Sequence, residues 1–412
     1  MRKIILWGLV LTLSASLFAC QGQKAYDCQD SIGCVEIAPD APIRIAYALV
    51  TSGSDGAIGT DALRSIELAL QSQGGTLLGH PIELVGEDSG CTAAGGEIAA
   101  TALAADPTIV GVIGPNCSSE ATTALPILSQ AGLVMISPST TGPSLTDPAT
   151  HIDGYARTAH NDKVQAAFAA EFAYNFIGAR TASTINDGTI YTVQLVDYFN
   201  KRFIELGGTV IYQGQVGPTD TDMSAALTQV AANPPDILFY PVFTAAGGQI
   251  TLQARTLPAL DETNLMGSDG MFIPDFLGIA GTSAAGMYLS SPDFTTFGQP
   301  YQDFLVSYEA AYGEKPLTVY HGQAYDATLI LLAAIEKIAV VDADGTLHIG
   351  RQELRDAVYA TRNYEGLTGR LTCTSAGDCA NVRIAVYQVI SGDPARWNPG
   401  NAANSDPKKI YP

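Results

Sequence analysis

The stretch Thr108-Ile109-Val110-Gly111-Val112-Ile113-Gly114-Pro115-Asn116-Cys117-Ser118-Ser119-Glu120 decides the fold class. Its first seven residues are apolar or small without alternation, the reading of a strand buried on both faces. Gly114-Pro115 breaks that strand, and two hydroxyl residues open a helix expected over 118–130. A strand that runs straight into a helix is the unit of a parallel α/β sheet.

The alternation extends in both directions. Upstream, 43–50 reads as a strand, 57–73 as a helix with Leu63, Ile66 and Leu70 at helical spacing, 81–86 as a strand and 93–105 as an Ala-rich helix. Downstream, 133–136 is again a strand. A second series begins after Asn161, with helices over 164–176, 189–205 and near 247–256, and strands over 179–186, 210–212, 235–240 and 265–267. Two series predict two lobes. Beyond Ser290 the pattern is mainly helical, over 302–312, 325–338 and 352–360, so the chain is expected to cross back and finish the first lobe. Strands near Leu371 and over 382–389 close it, and the polar tail after Ser391 is expected to be loosely ordered. The predicted division is lobe 1 from 43–160 and 292–366, and lobe 2 from 161–291 and 367–412.

The N-terminus has the layout of a secretion signal: Arg2 and Lys3, an apolar run over 4–18, then Ala19 and Cys20. The run is too short for a spanning helix, and no later stretch is long and apolar enough for one. Leu17-Phe18-Ala19-Cys20 resembles the lipobox of bacterial lipoproteins, in which the cysteine receives a diacylglycerol and becomes the new N-terminus; an ordinary signal peptide is the alternative. Residues 21–42 lack periodicity and end in Ala38-Pro39-Asp40-Ala41-Pro42, so they read as a tether reaching about 70 Å when extended.

About 390 residues then remain, too many for one ordinary core. Forty-one acidic against twenty-one basic residues give a formal charge of −20, which repels phosphate backbones and argues against nucleic-acid partners. With Cys20 assigned to lipid, six cysteines are left, which can pair in fifteen ways. Proximity favours Cys28 with Cys34 and Cys373 with Cys379, leaving Cys91 with Cys117. These spacings match no zinc pattern, so no metal is expected, and disulfides fit an oxidising location outside the cytoplasm.

In open α/β sheets ligands bind at the carboxyl ends of strands, where loops lead into helix N-termini. The loop 113–120 is such a place: helix-start amides and the Ser118 hydroxyl suit a carboxylate, although Ser118 equally reads as its helix's own cap. The next equivalent loop, Met135-Ile136-Ser137-Pro138-Ser139-Thr140-Thr141-Gly142-Pro143, carries four hydroxyls, and its plainer reading is a turn held by local Ser and Thr bonds.

Together, Gly-Pro-Asn-Cys-Ser-Ser-Glu and Met-Ile-Ser-Pro-Ser-Thr-Thr resemble the type I leucine/isoleucine/valine-binding family. Glu87-Asp88-Ser89-Gly90-Cys91, Arg157-Thr158-Ala159 and Ala284-Ala285-Gly286-Met287 follow the same order, over nearly all of 43–390. The resemblance implies two Rossmann-like lobes with parallel sheets joined by a three-segment hinge, closing on a small molecule. It implies a Cys91–Cys117 bond that stiffens the Ser118 loop. Ser118 and Thr141 would take a ligand carboxylate with backbone help from Ser139, Asp162 and Asp269 would take an ammonium, and Tyr191, Phe243 and Tyr325 would surround the ligand. Three positions depart from the family's pattern: Asp269 where glutamate is common, Thr192 where glycine is usual and Ile58 where an aromatic is frequent.

The function implied is an extracytoplasmic, lipid-anchored binding protein that delivers an amino acid or related small molecule to an ABC permease. A sensor that signals lobe closure to a membrane partner is the alternative. An enzyme is the weakest reading, since the chain has no Gly-x-Ser-x-Gly elbow, P-loop or His-Glu-x2-His, and Gly53-Ser54-Asp55-Gly56 reads as a turn into the first helix. No cofactor is expected.

Overall fold

A computed structural model describes residues 26–412. The secretion signal over 1–20, its lipid-acceptor Cys20 and the first part of the tether, 21–25, lie outside the described residues.

Two sheets organise the chain. The first has six strands in the order Thr76–Leu77, His80–Asp88, Ile43–Leu49, Ile109–Ile113, Val134–Ser137 and Tyr155–Arg157, parallel apart from the short edge hairpin. The second has seven, in the order Lys408–Tyr411, Ile384–Gln388, Tyr288–Pro292, Asn264–Gly267, Ile237–Phe239, Thr181–Asn186 and Thr209–Gln215; five are mutually parallel and the last two chain segments add antiparallel at one edge. Helices cover both faces of each sheet, which is why Ile109–Ile113 is buried at every residue. The chain passes between the sheets three times, after Tyr155–Arg157, after Tyr288–Pro292 and before Ile384–Gln388. The fold is therefore the two-lobed α/β architecture expected.

Three details differ from expectation. First, 26–42 is not a free tether. Cys34–Ile37 pairs antiparallel with Leu347–Gly350, and Val35 and Ile37 are buried in the lobe 1 core. The Tyr26 amide donates to Asp342 at 3.1 Å and its ring lies 4.7 Å from that of His348. The alternation Val35-Glu36-Ile37 is a one-sided strand too short to register in a window.

Second, the tail is ordered. Lys408–Tyr411 forms the sheet edge, Tyr411 packs on Phe168, Phe172 and Phe176, and the buried Asp406 carboxylate accepts from the amides of Ile390 and Ser391 at 2.9 and 3.0 Å. Third, the boundary expected at 366/367 falls between Cys379 and Ile384. Leu371, Cys373 and Cys379 are buried in the lobe 1 core, and Asp326 of a lobe 1 helix accepts the Leu367 and Thr368 amides at 2.7 and 2.9 Å. The pairs Cys28–Cys34, Cys91–Cys117 and Cys373–Cys379 are all formed.

Candidate functional site

Both hydroxyl loops leave the carboxyl ends of lobe 1 strands and face lobe 2. At Gly114 the chain turns with φ 132°, and a Cβ there would meet the Ala48 carbonyl oxygen at 2.2 Å, so only glycine fits. This turn delivers Asn116, whose Oδ1 accepts the Val50 amide at 2.9 Å while Nδ2 donates to Ser139 Oγ at 2.9 Å. Ser139 returns its own proton to the Asn116 carbonyl at 2.9 Å, locking the loops side by side.

Ser118 does not cap its own helix. The N-cap is Cys117, and the Ser118 hydroxyl instead accepts the Gly142 amide at 3.1 Å, across from the other loop. In that second loop the local turn bonds belong to Ser137, whose Oγ accepts from the amides of Ser139 and Thr140 at 3.3 and 2.9 Å. Thr141 reaches outward and donates to Asp162 Oδ2 at 3.0 Å.

The capping work falls to Glu120, which sequence reading left without a role. Fully buried, its carboxylate accepts from the amides of Asn116, Cys117 (2.8 Å) and Cys91 (3.1 Å), tying the Cys91–Cys117 loop to the helix start. Burial pushes its pKa from 4.5 up to about 7 against those bonds. With the folded value above the unfolded one, the native state holds the extra proton between these pH values. The resulting stability is complete below about pH 4.5 and is lost as pH rises through about 7. Melting temperature should therefore fall between pH 5 and 7.5, and Glu120→Gln should flatten that slope; an unchanged slope would assign the pH dependence elsewhere.

Two buried carboxylates face the hydroxyl loops. Asp162 is wholly buried at the start of helix Asp162–Glu171, and Asp269 is 8% exposed at the end of strand Asn264–Gly267. Asp269 accepts from Gln165 (2.5 Å) and Tyr191 (3.1 Å) on Oδ1 and from Tyr320 (2.6 Å) on Oδ2. Asp162 Oδ1 has no hydrogen-bond partner and lies 3.8 Å from His160 Nε2. Burial, and then the charge of Asp269, hold Asp162 protonated well above the usual carboxylate range. Burial also depresses the His160 pKa, so that ring is neutral at pH 7. Among the described residues neither aspartate pairs with a lysine or arginine, because the nearby Arg157 is committed elsewhere.

Arg157 is completely buried beneath the second loop. It donates to the carbonyls of Thr140 and Gly142 at 3.1 and 3.0 Å, to Thr146 Oγ1 at 2.7 Å and to Asp378 Oδ1 at 2.6 Å. Asp378 sits in the Cys373–Cys379 ring, whose backbone also pairs with Arg157. The ring, read from sequence only as a disulfide, thus backs the Thr141 loop.

Seven of the eight sequence-nominated side chains converge here. Ser118, Ser139 and Thr141 from lobe 1 and Tyr191, Phe243 and Asp269 from lobe 2 line one narrow cleft, and Asp162 lies behind Thr141. Tyr325 does not. It is one turn into helix His321–Ile338, with its ring edge-on to Phe304 on the outer side of lobe 1. Tyr320, at that helix's N-cap, takes the expected place: it lines the cleft, bonds Asp269 and stacks on His160 at 6.2 Å. The position just before a helix was the available signal. No helix among the described residues is long and apolar enough to cross a membrane, and they include no group of three or more potential metal-ligating side chains.

Comparison with known proteins agrees with this architecture. The family model "Periplasmic binding protein" matches residues 42–394. Leu/Ile/Val-binding protein homolog 3 of Brucella melitensis is 23% identical over 354 residues, covering 85% of this chain and 92% of that one. The leucine-binding protein LivK of Thermotoga maritima superposes with a TM-score of 0.77 at 26% identity, covering 85% of this chain and 96% of that one. LivJ of Streptococcus pneumoniae, solved with isoleucine, gives 0.76 at 23% identity, covering 90% and 100%. The chain belongs to the periplasmic binding protein family.

Proposed function

We propose that this chain is the extracytoplasmic, lipid-anchored substrate-binding component of an ABC importer and that it captures an α-amino acid between its lobes. One observation carries the choice of ligand: Asp269 at the cleft wall and Asp162 just behind Thr141 are both buried, and among the described residues no lysine or arginine pairs with either. A buried carboxylate pair without a cation is costly, and a ligand ammonium supplies the missing charge. The Ser118 and Thr141 hydroxyls and the start of helix Ser118–Gln130 suit the carboxylate of the same molecule. Relatives named for leucine, isoleucine and valine binding support an amino acid. The lipid anchor rests on Leu17-Phe18-Ala19-Cys20. Since both lobes supply the contacts, ligand shifts the population toward the closed form, and opening at the permease releases it. Binding, with no chemical turnover, is the whole task.

The test is a thermal-shift screen of the mature, unacylated chain against amino acids, sugars and aromatic acids. Ligand at about one hundred times its dissociation constant adds about 2.7 kcal/mol. Amino acids should shift the transition, and Ser118→Ala should weaken binding about tenfold to a hundredfold through one lost charge-assisted bond. A shift by sugars alone would sink the assignment.

A further inference from the structure

The order of strands in lobe 1 gives the cleft a direction. The chain leaving Tyr155–Arg157 leads to Asp162, whereas the chain leaving Ile109–Ile113 leads to Asn116, two strands further along the sheet. At about 4.8 Å per strand, roughly 10 Å separates the strand end that leads to Asp162 from the one that leads to Asn116. That end is built by Asn116, Ser139, Ile58 and the Cys91–Cys117 disulfide, with Phe243 of lobe 2 packed over it. A ligand whose ammonium meets the aspartates therefore directs its side chain there.

The far end is polar on one wall. Asn116 is 3% exposed and Ser139 8%. Asn116 Oδ1 is occupied by the Val50 amide, and Nδ2 gives one of its two hydrogens to Ser139 Oγ, whose own proton goes to the Asn116 carbonyl. This arrangement fixes the amide orientation and leaves the second Nδ2 hydrogen and a Ser139 lone pair for a visitor. An aliphatic side chain would cover both without replacing a bond, while a charged one would find no counter-charge among the residues named. Resting on the amino-acid reading above, we infer that this cleft selects amino acids with a neutral hydrogen-bonding side chain, a hydroxyl or carboxamide, recognised by Asn116 and Ser139.

Titration calorimetry on the mature chain with near-isosteric pairs, threonine against valine and glutamine against methionine, tests it. The polar member of at least one pair should bind about tenfold or more tightly, as expected where a site's polar groups would otherwise go unpaired. Asn116→Leu and, should that variant fold poorly, Ser139→Ala should each bring the affinity ratio within the favoured pair close to one, whatever the change in absolute affinity. Equal or tighter binding of both aliphatic members overturns the inference and leaves the amino-acid reading standing. No binding by any amino acid overturns both.

Discussion

Asp162→Asn is expected to weaken amino-acid binding by about a hundredfold to a few thousandfold, while leaving the unliganded protein at pH 7 as stable as the parent or more so. The two effects share one cause. Burial and the neighbouring Asp269 raise the Asp162 pKa well above its ordinary value. A raised folded-state pKa gives stability that is complete below the unfolded value and is lost as pH rises through the folded one, so ionised Asp162 is a liability of the empty cleft. Asparagine removes that liability and keeps an acceptor for the Thr141 hydroxyl. A bound ammonium reverses the balance, because the carboxylate is then the favoured form. Binding should release a proton and weaken as pH falls through the raised pKa. Removing one partner of a buried charge pair costs about 3–5 kcal/mol, which sets the predicted loss. Calorimetry in two buffers of different ionisation enthalpy reads the proton. Unchanged affinity in the variant would remove Asp162 from the site.

Arg157→Ala should destabilise the chain by about 3–5 kcal/mol, on the order of 10 °C in melting temperature, although Arg157 touches no ligand-facing surface. Its guanidinium is the common donor for Thr140, Gly142, Thr146 and Asp378. Alanine leaves the buried Thr140 carbonyl without a donor and takes from Asp378 its charged partner, although Thr146 and Asn161 still donate to that carboxylate. The Thr141 loop would lose its backing, so ligand affinity should fall together with stability. A variant melting within about 2 °C of the parent would show that water replaces the guanidinium without loss.

Sequence reading located what local chemistry encodes. The helix expected over 118–130 is found over Ser118–Gln130, because a buried strand, a Gly-Pro break and a run of hydroxyls all mark the same point. Asp162 and Asp269 were nominated through order along the chain; Asp269 lines the cleft and Asp162 lies behind Thr141. What escaped depends on partners far apart in sequence. Choosing Tyr320 over Tyr325 requires knowing which way helix His321–Ile338 faces. The Arg157–Asp378 pair spans 221 residues, and nothing near Asp378 announces it. The polar tail is held by Tyr411 meeting Phe172, a contact that composition cannot foresee.

The strand Cys34–Ile37 has a mechanical consequence. With the chain attached to lobe 1 from Tyr26 onward, only residues 21–25 separate it from Cys20, and five residues span at most about 18 Å. Were Cys20 lipidated as proposed, lobe 1 would be moored near the bilayer on a short leash. Lobe 2 would then be the moving jaw, and the mouth of the cleft would keep a restricted bearing toward the membrane that a 70 Å tether would not impose.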